Sequence, residues 1–344
     1  MLNIKEVITK PIFIILASLA IILFIISIIL QIVAANKTIK PQTLPRPSLK
    51  TDIIQPISLQ YRYSGQIPQL TTKLSVFSVP QNTDQFQKPF LTELGKNFNF
   101  TQSPALDQGI EFSTAIFTKP NADLVISYPP LIIEYGNYQS TQRPKNLIDS
   151  EQFINLAKSF LAAKNILTNT VTLDNGYVQL LQTDQQGIGL PVSDPNLADY
   201  VSVNFNYLLD GKPLIDIRRR DYPVKLVFNL DSSIRKATII YPPTLIDIVG
   251  TADITTPDQA LQAINNGQGN FSKLNNPTVA YTELNQNDMS TATFNSVELV
   301  YVYDYDSSSI QPFYRFQGYG YTQDGEKIEV GVIITALPQD LYQK

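Results

Sequence analysis

Apolar and polar positions are distributed very unevenly along this chain. From residue 12 to residue 35 there are 24 residues without a charge, interrupted by only three polar residues. At about 1.5 Å per residue, a helix of this length reaches ~36 Å, which is enough to cross a hydrocarbon core of about 30 Å. Lys10 and Lys37 flank the run, where their side chains can reach lipid headgroups. The pattern predicts a transmembrane helix over residues 12–35, with the lipid bilayer as its partner.

The ends of this segment leave one alternative. Val33-Ala34-Ala35 resembles a signal-peptidase cleavage site. The apolar part of a secretory signal is shorter, about 7–15 residues, so an uncleaved anchor is favoured. Residues 36–56 then carry four prolines among polar residues. Such a segment is extended, at about 3.1 Å per residue, and predicts a stalk between the anchor and the folded part.

Three later segments have helical features. Asp149 and Gln152 form a capping-box pattern ahead of an apolar stripe, which predicts a helix over Ser150–Ala163. A second capping box begins at Thr256-Pro257, and an Asn-Asn-Gly sequence ends that helix. Thr83–Leu94 is a third candidate, although its proline would break a helix that does not begin just before it.

Most of the remaining pattern predicts strands. Leu124–Gly136 and Thr238–Gly250 are similar: each has a β-branched run, Tyr-Pro-Pro and a second apolar run that ends in glycine. A short polar gap and a capped helix follow each, so the chain is interpreted as a repeat of one helix followed by an antiparallel sheet. Asp210-Gly211 and Asp324-Gly325 predict hairpin turns, and Gly187–Pro191 predicts a simple turn. The predicted strands are Tyr177–Leu181, Tyr200–Leu209, Leu214–Ile217, Val224–Leu230, Lys236–Tyr241, Val297–Tyr303, Phe313–Tyr321 and Ile328–Ala336.

These elements divide the chain into six parts. The predicted parts are a tail (1–11), a transmembrane helix (12–35), a Pro-rich stalk (36–56), a β-rich module (57–144) and two α+β modules (145–250 and 251–344).

Charge and composition remove several classes of function. Beyond residue 50 the chain has 20 basic and 29 acidic residues, so a broad basic surface for nucleic acid is not expected. The chain has neither histidine nor cysteine. Ser-His-Asp triads, cysteine nucleophiles and His/Cys zinc sites are therefore excluded. No phosphate-binding glycine motif occurs either.

Carboxylates remain as candidates for chemistry. Asp304 and Asp306 lie two residues apart, so both would face one side of a strand, as a Ca²⁺ site or an acid pair. Ca²⁺ usually takes about six to eight oxygen ligands, which this segment does not supply, so a polar strand end is favoured. Asp324, Glu326 and Glu329 flank a predicted hairpin and are typical of charges that prevent association of sheet edges. We expect no catalytic residue, metal ligand or cofactor.

Two groups of residues are candidates for contact with a partner. Arg218, Arg219 and Arg220 form the densest cationic cluster, which could bind an anionic partner or could instead pair with neighbouring aspartates. The second group is tyrosines, which could form a glycan- or peptide-binding face or could be sheet core. These tyrosines are Tyr301, Tyr303, Tyr319 and Tyr321.

Several of these segments carry a resemblance to a known family. The helix Ser150–Ala163, the strand pair Val297–Tyr303 and Gln311–Gln317 with its Pro-Phe-Tyr-Arg-Phe core, and the closing run Glu329–Leu337 resemble PepSY-like modules of exported bacterial proteins. An anchor, a stalk and tandem modules together look like the membrane-anchored auxiliary regulators of the essential cell-wall sensor kinase in Gram-positive bacteria. The likeness covers roughly residues 145–340, while residues 57–136 match it loosely. It implies an extracytoplasmic, non-enzymatic protein that contacts other envelope proteins.

Two observations disagree on which side of the membrane the large domain would lie. The basic residues that follow the apolar run favour a cytoplasmic domain by the positive-inside rule, whereas the resemblance favours an extracytoplasmic one. We expect a single-pass cell-membrane protein of the α+β class with an extracytoplasmic domain that acts as a regulator or adaptor by protein contacts. The alternatives are a module that binds cell-wall glycan or peptide through a Tyr-rich sheet face and, third, a carboxylate-dependent hydrolase.

Overall fold

The structure is a computed structural model. It describes residues 21–33, 44–46, 60–79, 86–109, 113–139, 144, 149–167, 170–184, 189–216, 222–243, 246–275, 288–304 and 308–342.

Helices make up the smaller part of the described chain. Residues 21–33 are helical. The other α-helices are α1 (Lys88–Asn97), α2 (Ser150–Ala163) and α3 (Pro257–Asn265), and short 3-10 turns occur at Pro195–Leu197 and Gln339–Leu341. The capping boxes predicted for α2 and α3 are both confirmed, and α1 begins just before its proline.

Strands dominate the described chain. They are β1 (Tyr61–Tyr63), β2 (Lys73–Ser78), β3 (Ala105–Gln108), β4 (Ser113–Lys119), β5 (Ala122–Tyr128), β6 (Ile132–Asn137), β7 (Thr172–Leu173), β8 (Tyr177–Thr183), β9 (Gly189–Val192), β10 (Tyr200–Phe205), β11 (Tyr207–Leu209), β12 (Lys212–Asp216), β13 (Val224–Asn229), β14 (Ile234–Ile240), β15 (Asp247–Asp253), β16 (Asn270–Asn275), β17 (Met289–Asp304), β18 (Ser309–Thr322) and β19 (Lys327–Thr335).

The strands form two sheets. The nine-stranded sheet is antiparallel throughout, in the order β3-β4-β5-β6-β14-β13-β10-β8-β9. The ten-stranded sheet has the order β15-β2-β18-β17-β12-β11-β7, with β1 beside β17, β19 beside β18 and β16 beside β19. The long hairpin β17–β18 runs through both halves of this sheet, and β1 and β12 pair with β17 in parallel.

Two cores stabilise these sheets. The main core lies between the nine-stranded sheet, α1, α2 and part of the ten-stranded sheet, and includes Phe153, Phe228 and Tyr301. The C-terminal core lies between α3 and the other half of the ten-stranded sheet, and includes Ile264 and Phe316. The burial of apolar side chains in both is the dominant stabilising contribution.

The predicted α+β class with tandem helix-plus-sheet modules is wrong. The prediction assumed that each helix covers a separate small sheet. Instead β6 and β14, the last strands of the first two repeats, pair along five residues and merge their sheets. This pairing removes two exposed sheet edges, which is favourable. The protein is therefore mainly β, with two large sheets.

The two similar segments also have different structures. Leu124–Gly136 contains the hairpin β5–β6. Thr238–Gly250 instead begins in β14 of the nine-stranded sheet and ends in β15 of the ten-stranded sheet. The predicted strand Tyr200–Leu209 likewise changes sheet, at Asn206. The hairpin turn at Asp210-Gly211 is confirmed, with positive φ at both residues.

The membrane prediction is also corrected. Among the described residues, no helix is both long and apolar enough to cross a membrane. Residues 12–20 and 34–35 of the predicted anchor lie outside the described residues. A single-pass anchor over residues 12–35, and the cell-membrane location inferred from it, are not supported.

The structure assigns the N-terminal segments to the C-terminal half. Within the predicted stalk, residues 44–46 are described, and Leu44 is buried against Leu337 and Tyr342. β1 and β2, from the first predicted module, belong to the ten-stranded sheet rather than to the sheet of β3–β6.

Candidate functional site

A groove of about 700 Å³ lies between the N-terminus of α2 and the hairpin β8–β9. Its volume is within the range of about 300–1,000 Å³ that is typical of ligand pockets. The residues that line it are Asp149, Ser150, Phe153, Tyr177, Val178, Gln179, Leu180, Pro191, Val192, Ser193, Pro195 and Val201.

The N-terminus of α2 forms one wall of the groove. The Asp149 carboxylate accepts a hydrogen bond from the Gln152 amide at 2.8 Å, and the Gln152 side chain accepts one from the Asp149 amide at 3.1 Å. This reciprocal capping fixes the start of the helix and therefore the position of the Asp149 carboxylate. One turn later, Phe153 is buried with its ring edge-on to Phe228, at 5.5 Å between centroids. Phe153 gives the groove an apolar floor.

β8 forms the opposite wall, and part of its edge is open. β10 pairs with β8 over Tyr177–Leu181, whereas β9 pairs with it only over Leu180–Thr183. On the groove side, Tyr177–Gln179 therefore lack a neighbouring strand among the described residues. The Leu181 carbonyl accepts from Asp199 beside β10. Because adjacent residues of a strand point their N–H and C=O groups to opposite sides, those of Val178 point towards the groove.

β9 has the features of a protected edge. Pro191 lacks an N–H group and interrupts any further hydrogen-bond ladder on β9. Asp194 then caps the 3-10 turn at Pro195–Leu197 by accepting from the Asn196 amide at 2.9 Å, which carries the chain away from β8. The proline and the turn leave the free edge at Tyr177–Gln179 rather than at β9.

The groove is mildly acidic. Among its lining residues, Asp149 is the one with a formal charge. The exposed Glu151 and Asp194, which directly adjoin lining residues in sequence, are also acidic. At the rim, the half-exposed ring of Tyr177 stacks on Tyr222 with 6.4 Å between centroids. This arrangement suits an apolar ligand with a positive charge near Asp149.

Of the residues expected to contact a partner, the structure describes the four tyrosines. Arg218, Arg219 and Arg220 lie outside the described residues, and Tyr222 follows them two positions after Arg220. They remain a prediction.

The four tyrosines lie on two opposite faces of β17–β18. Tyr301 is fully buried and faces the main core with the partly buried Tyr303. Burial raises the pKa of Tyr301, and Asp210 adds to this effect, whereas a backbone contact with Ser75 lowers it.

Tyr319 and Tyr321 belong to the other face. Tyr301 is paired with Pro312, so the even-numbered residues of β18 share its face and the odd-numbered Tyr319 and Tyr321 do not. Their rings are edge-to-face at 6.0 Å, and the Lys327 ammonium lies 4.7 Å from the Tyr319 centroid. Tyr321 is exposed and Tyr319 is partly buried, so the four tyrosines do not share one exposed face.

Among the carboxylates considered for chemistry, the structure describes Asp304, Asp324, Glu326 and Glu329. Asp304 is buried at the end of β17, and Asp306 lies outside the described residues. Glu329 forms an ion pair with Lys273 at 2.7 Å. Within the described part of the chain, no group of three or more acidic residues could hold a metal ion.

The groove was not predicted from the sequence, although its lining residues all fall between Asp149 and Val201. The sequence predicts the cap at Asp149, but it predicts a simple turn at Gly187–Pro191 rather than a strand. A glycine-bounded apolar triplet that contains proline is a signal for an edge strand, and here it forms β9.

Fold and site together define a mainly antiparallel β protein of two large sheets with a groove beside an open strand edge. No protein-family model matches the chain, and no curated protein is similar to it. Among solved structures, an uncharacterized protein from Eubacterium rectale ATCC 33656, determined at 1.45 Å resolution, is similar at 12% identity. The match covers 79% of this chain and 85% of that chain with a TM-score of 0.40, and carries no conclusion about function.

Proposed function

We propose that this protein is a non-enzymatic regulator or adaptor that acts by contact, holding an extended segment of a partner protein in the groove. The observation that carries the proposal is the open edge of β8 above an apolar floor. An added strand would hydrogen-bond to the backbone of Val178, and its alternate side chains would contact the partly buried Leu180 and Val192.

The charge of the groove indicates the chemistry of that segment. A partner residue beside Asp149 would meet a carboxylate that helix capping already holds in place. Lysine or arginine at one end of an apolar, extended segment therefore fits best. The resemblance to PepSY-like regulators is compatible with this contact-based role and stays a prediction.

Selection from a library of displayed random peptides, with the full chain as bait, tests the proposal. The matched variants are Ser193→Trp, which places a large ring in the groove, and Asn155→Trp, on the exposed side of α2 outside the groove. We expect peptides with alternating apolar residues to be enriched on the wild type and on Asn155→Trp, and to be lost on Ser193→Trp. Equal enrichment on Ser193→Trp would overturn the proposal, as would no enrichment on the wild type.

Fluorescence polarisation with an enriched peptide then tests the charge and the binding mode. Asp149→Asn keeps a good helix cap but removes the charge, and we expect about tenfold weaker binding. Asp258→Asn, which removes a charge from the first turn of α3 outside the groove, should bind as the wild type does. N-methylation of the peptide should weaken binding at every second residue, because a paired strand uses alternate N–H groups. A uniform effect along the peptide would contradict strand addition.

A further inference from the structure

The second region that suggests binding lies where residues 44–46 meet the C-terminal turn. The Leu44 amide donates to the Leu341 carbonyl at 3.3 Å, and Leu44 is 2% exposed. The Pro45 carbonyl accepts from the Gln311 side chain at 2.9 Å, from inside β18. We call this arrangement the clasp, because it fastens residues 44–46 to the ten-stranded sheet.

A buried polar network supports the clasp. The Tyr342 hydroxyl donates to the side-chain oxygen Oε1 of Gln311 at 3.0 Å. The Tyr342 hydroxyl oxygen also lies 2.5 Å from the Thr335 hydroxyl. The Tyr342 hydroxyl has one proton and donates it to Gln311, so the Thr335 hydroxyl is the donor in the 2.5 Å bond between Thr335 and Tyr342. Gln311 also donates to Ser309 at 3.1 Å. Because these polar groups are hydrogen-bonded to one another, the network holds a single arrangement.

A cavity of about 270 Å³ opens beside this network. The partly exposed Thr335 and the edge of Tyr342 line the cavity on the side of the network, and Phe313 and Ile334 are almost fully buried. Arg46 is the one formally charged residue among those that line it. The volume is just below the range of drug-sized pockets, about 300–1,000 Å³, so it suits a smaller molecule. The remaining lining residues are Gln268, Gly269, Asn270 and Gln339.

We propose that this cavity binds a small organic carboxylate. The Arg46 guanidinium would hold the carboxylate through paired N–H donors, and the Thr335 methyl group and the edge of the Tyr342 ring would contact the apolar body. Inorganic phosphate is a poorer match, because it would leave the apolar surface facing a hydrated ion. Arg46 belongs to the N-terminal side of the clasp and Tyr342 to the C-terminal side, so bound carboxylate stabilises the clasp. This inference is independent of the groove.

Benzoate and benzamide form a matched pair of probes, since they share a ring and differ in charge. In calorimetric titration of the full chain, we expect benzoate to bind at least tenfold more tightly than benzamide and to raise the melting temperature saturably. A benzoate Kd above about 10 mM, or equal binding of benzamide, would overturn the proposal.

Variants of Arg46 locate the binding. Arg46→Gln should lose the preference for benzoate, and Arg46→Lys should restore it in part, because lysine keeps the charge without the planar fork. Arg62→Gln, at an exposed arginine of β1 away from the cavity, should titrate as the wild type does. Unchanged benzoate binding by Arg46→Gln would place the site elsewhere and refute the assignment.

Discussion

Single buried polar residues fasten distant parts of this chain. Gln311 is 1% exposed and bonds at both ends of its amide, to Pro45 on one side and to Tyr342 on the other. A buried amide is stable only when its groups are paired, so the energetics of Gln311 and Tyr342 are linked.

Tyr342→Phe tests this linkage. The change removes one donor and leaves the Gln311 carbonyl oxygen without the bond at 3.0 Å, so we expect a loss of about 1–3 kcal/mol in the free energy of unfolding. Urea denaturation measures the loss. Tyr321→Phe, at an exposed position, should change stability by less than about 0.5 kcal/mol. A Tyr342→Phe protein as stable as the wild type would contradict the linkage.

Alkaline pH should weaken the fold through the same residue. Burial raises the pKa of Tyr342 from 10.0 to about 12, against a smaller lowering by the Thr335 hydrogen bond. Burial also raises the pKa of Tyr314 to about 12. Between pH 10 and 12 the unfolded chain therefore releases protons that the folded chain keeps, and stability falls as pH rises. The contribution of these two protonated hydroxyls to the free energy of unfolding is fully present below about pH 10.

Denaturation curves at several pH values up to pH 12 would show this loss. Tyr342→Phe and Tyr314→Phe should each have a shallower decline than the wild type, because each removes one titrating group. An identical decline in all three proteins would show that other groups cause it.

At the scale of elements, the close approach of Gly95 to β4 determines the position of α1. Gly95 faces β4 so closely that an added Cβ would lie 2.6 Å from a ring carbon of the buried Phe117. A helix residue with a side chain at this position would push α1 away from the sheet.

Gly95→Ala sets two effects against each other. Alanine favours the helix by about 1 kcal/mol, but overpacking a core costs about 1–3 kcal/mol and Phe117 is 1% exposed. We therefore expect net destabilisation, measured as a lower urea midpoint. Thr92→Ala, elsewhere on α1, should be neutral or slightly stabilising. A more stable Gly95→Ala would indicate that Phe117 moves aside at low cost.

The elements also explain what the sequence could and could not predict. Caps at Asp149 and Thr256 and the hairpin at Asp210-Gly211 are local, so their chemistry is contained in a few consecutive residues. The pairing of β6 with β14 joins residues about 100 positions apart, and no local signal specifies it. The groove depends on where β9 stops pairing with β8, so its lining could not be predicted as a site.

At the scale of the molecule, the hairpin β17–β18 connects the two cores. Tyr301 lies in the main core and Phe294, on the same strand, lies in the C-terminal core. A rigid strand pair that belongs to both should couple their unfolding.

Calorimetry of core variants tests this coupling. Leu161→Ala, in the main core, and Ile264→Ala, in the C-terminal core, should each cost about 2–5 kcal/mol and lower one common transition. Two transitions, each shifted by only one of the variants, would show that the cores unfold separately.

The bridge between Leu44 and Tyr342 brings two chain positions almost 300 residues apart into contact. The order of the segments along the chain could therefore be changed while their arrangement in the fold is kept. A circular permutant that joins residue 342 to residue 44 by a short flexible linker, and begins instead within the exposed β18–β19 turn at Asp324-Gly325, should fold to the same two sheets. Its circular dichroism spectrum and its peptide selection should match those of the parent chain.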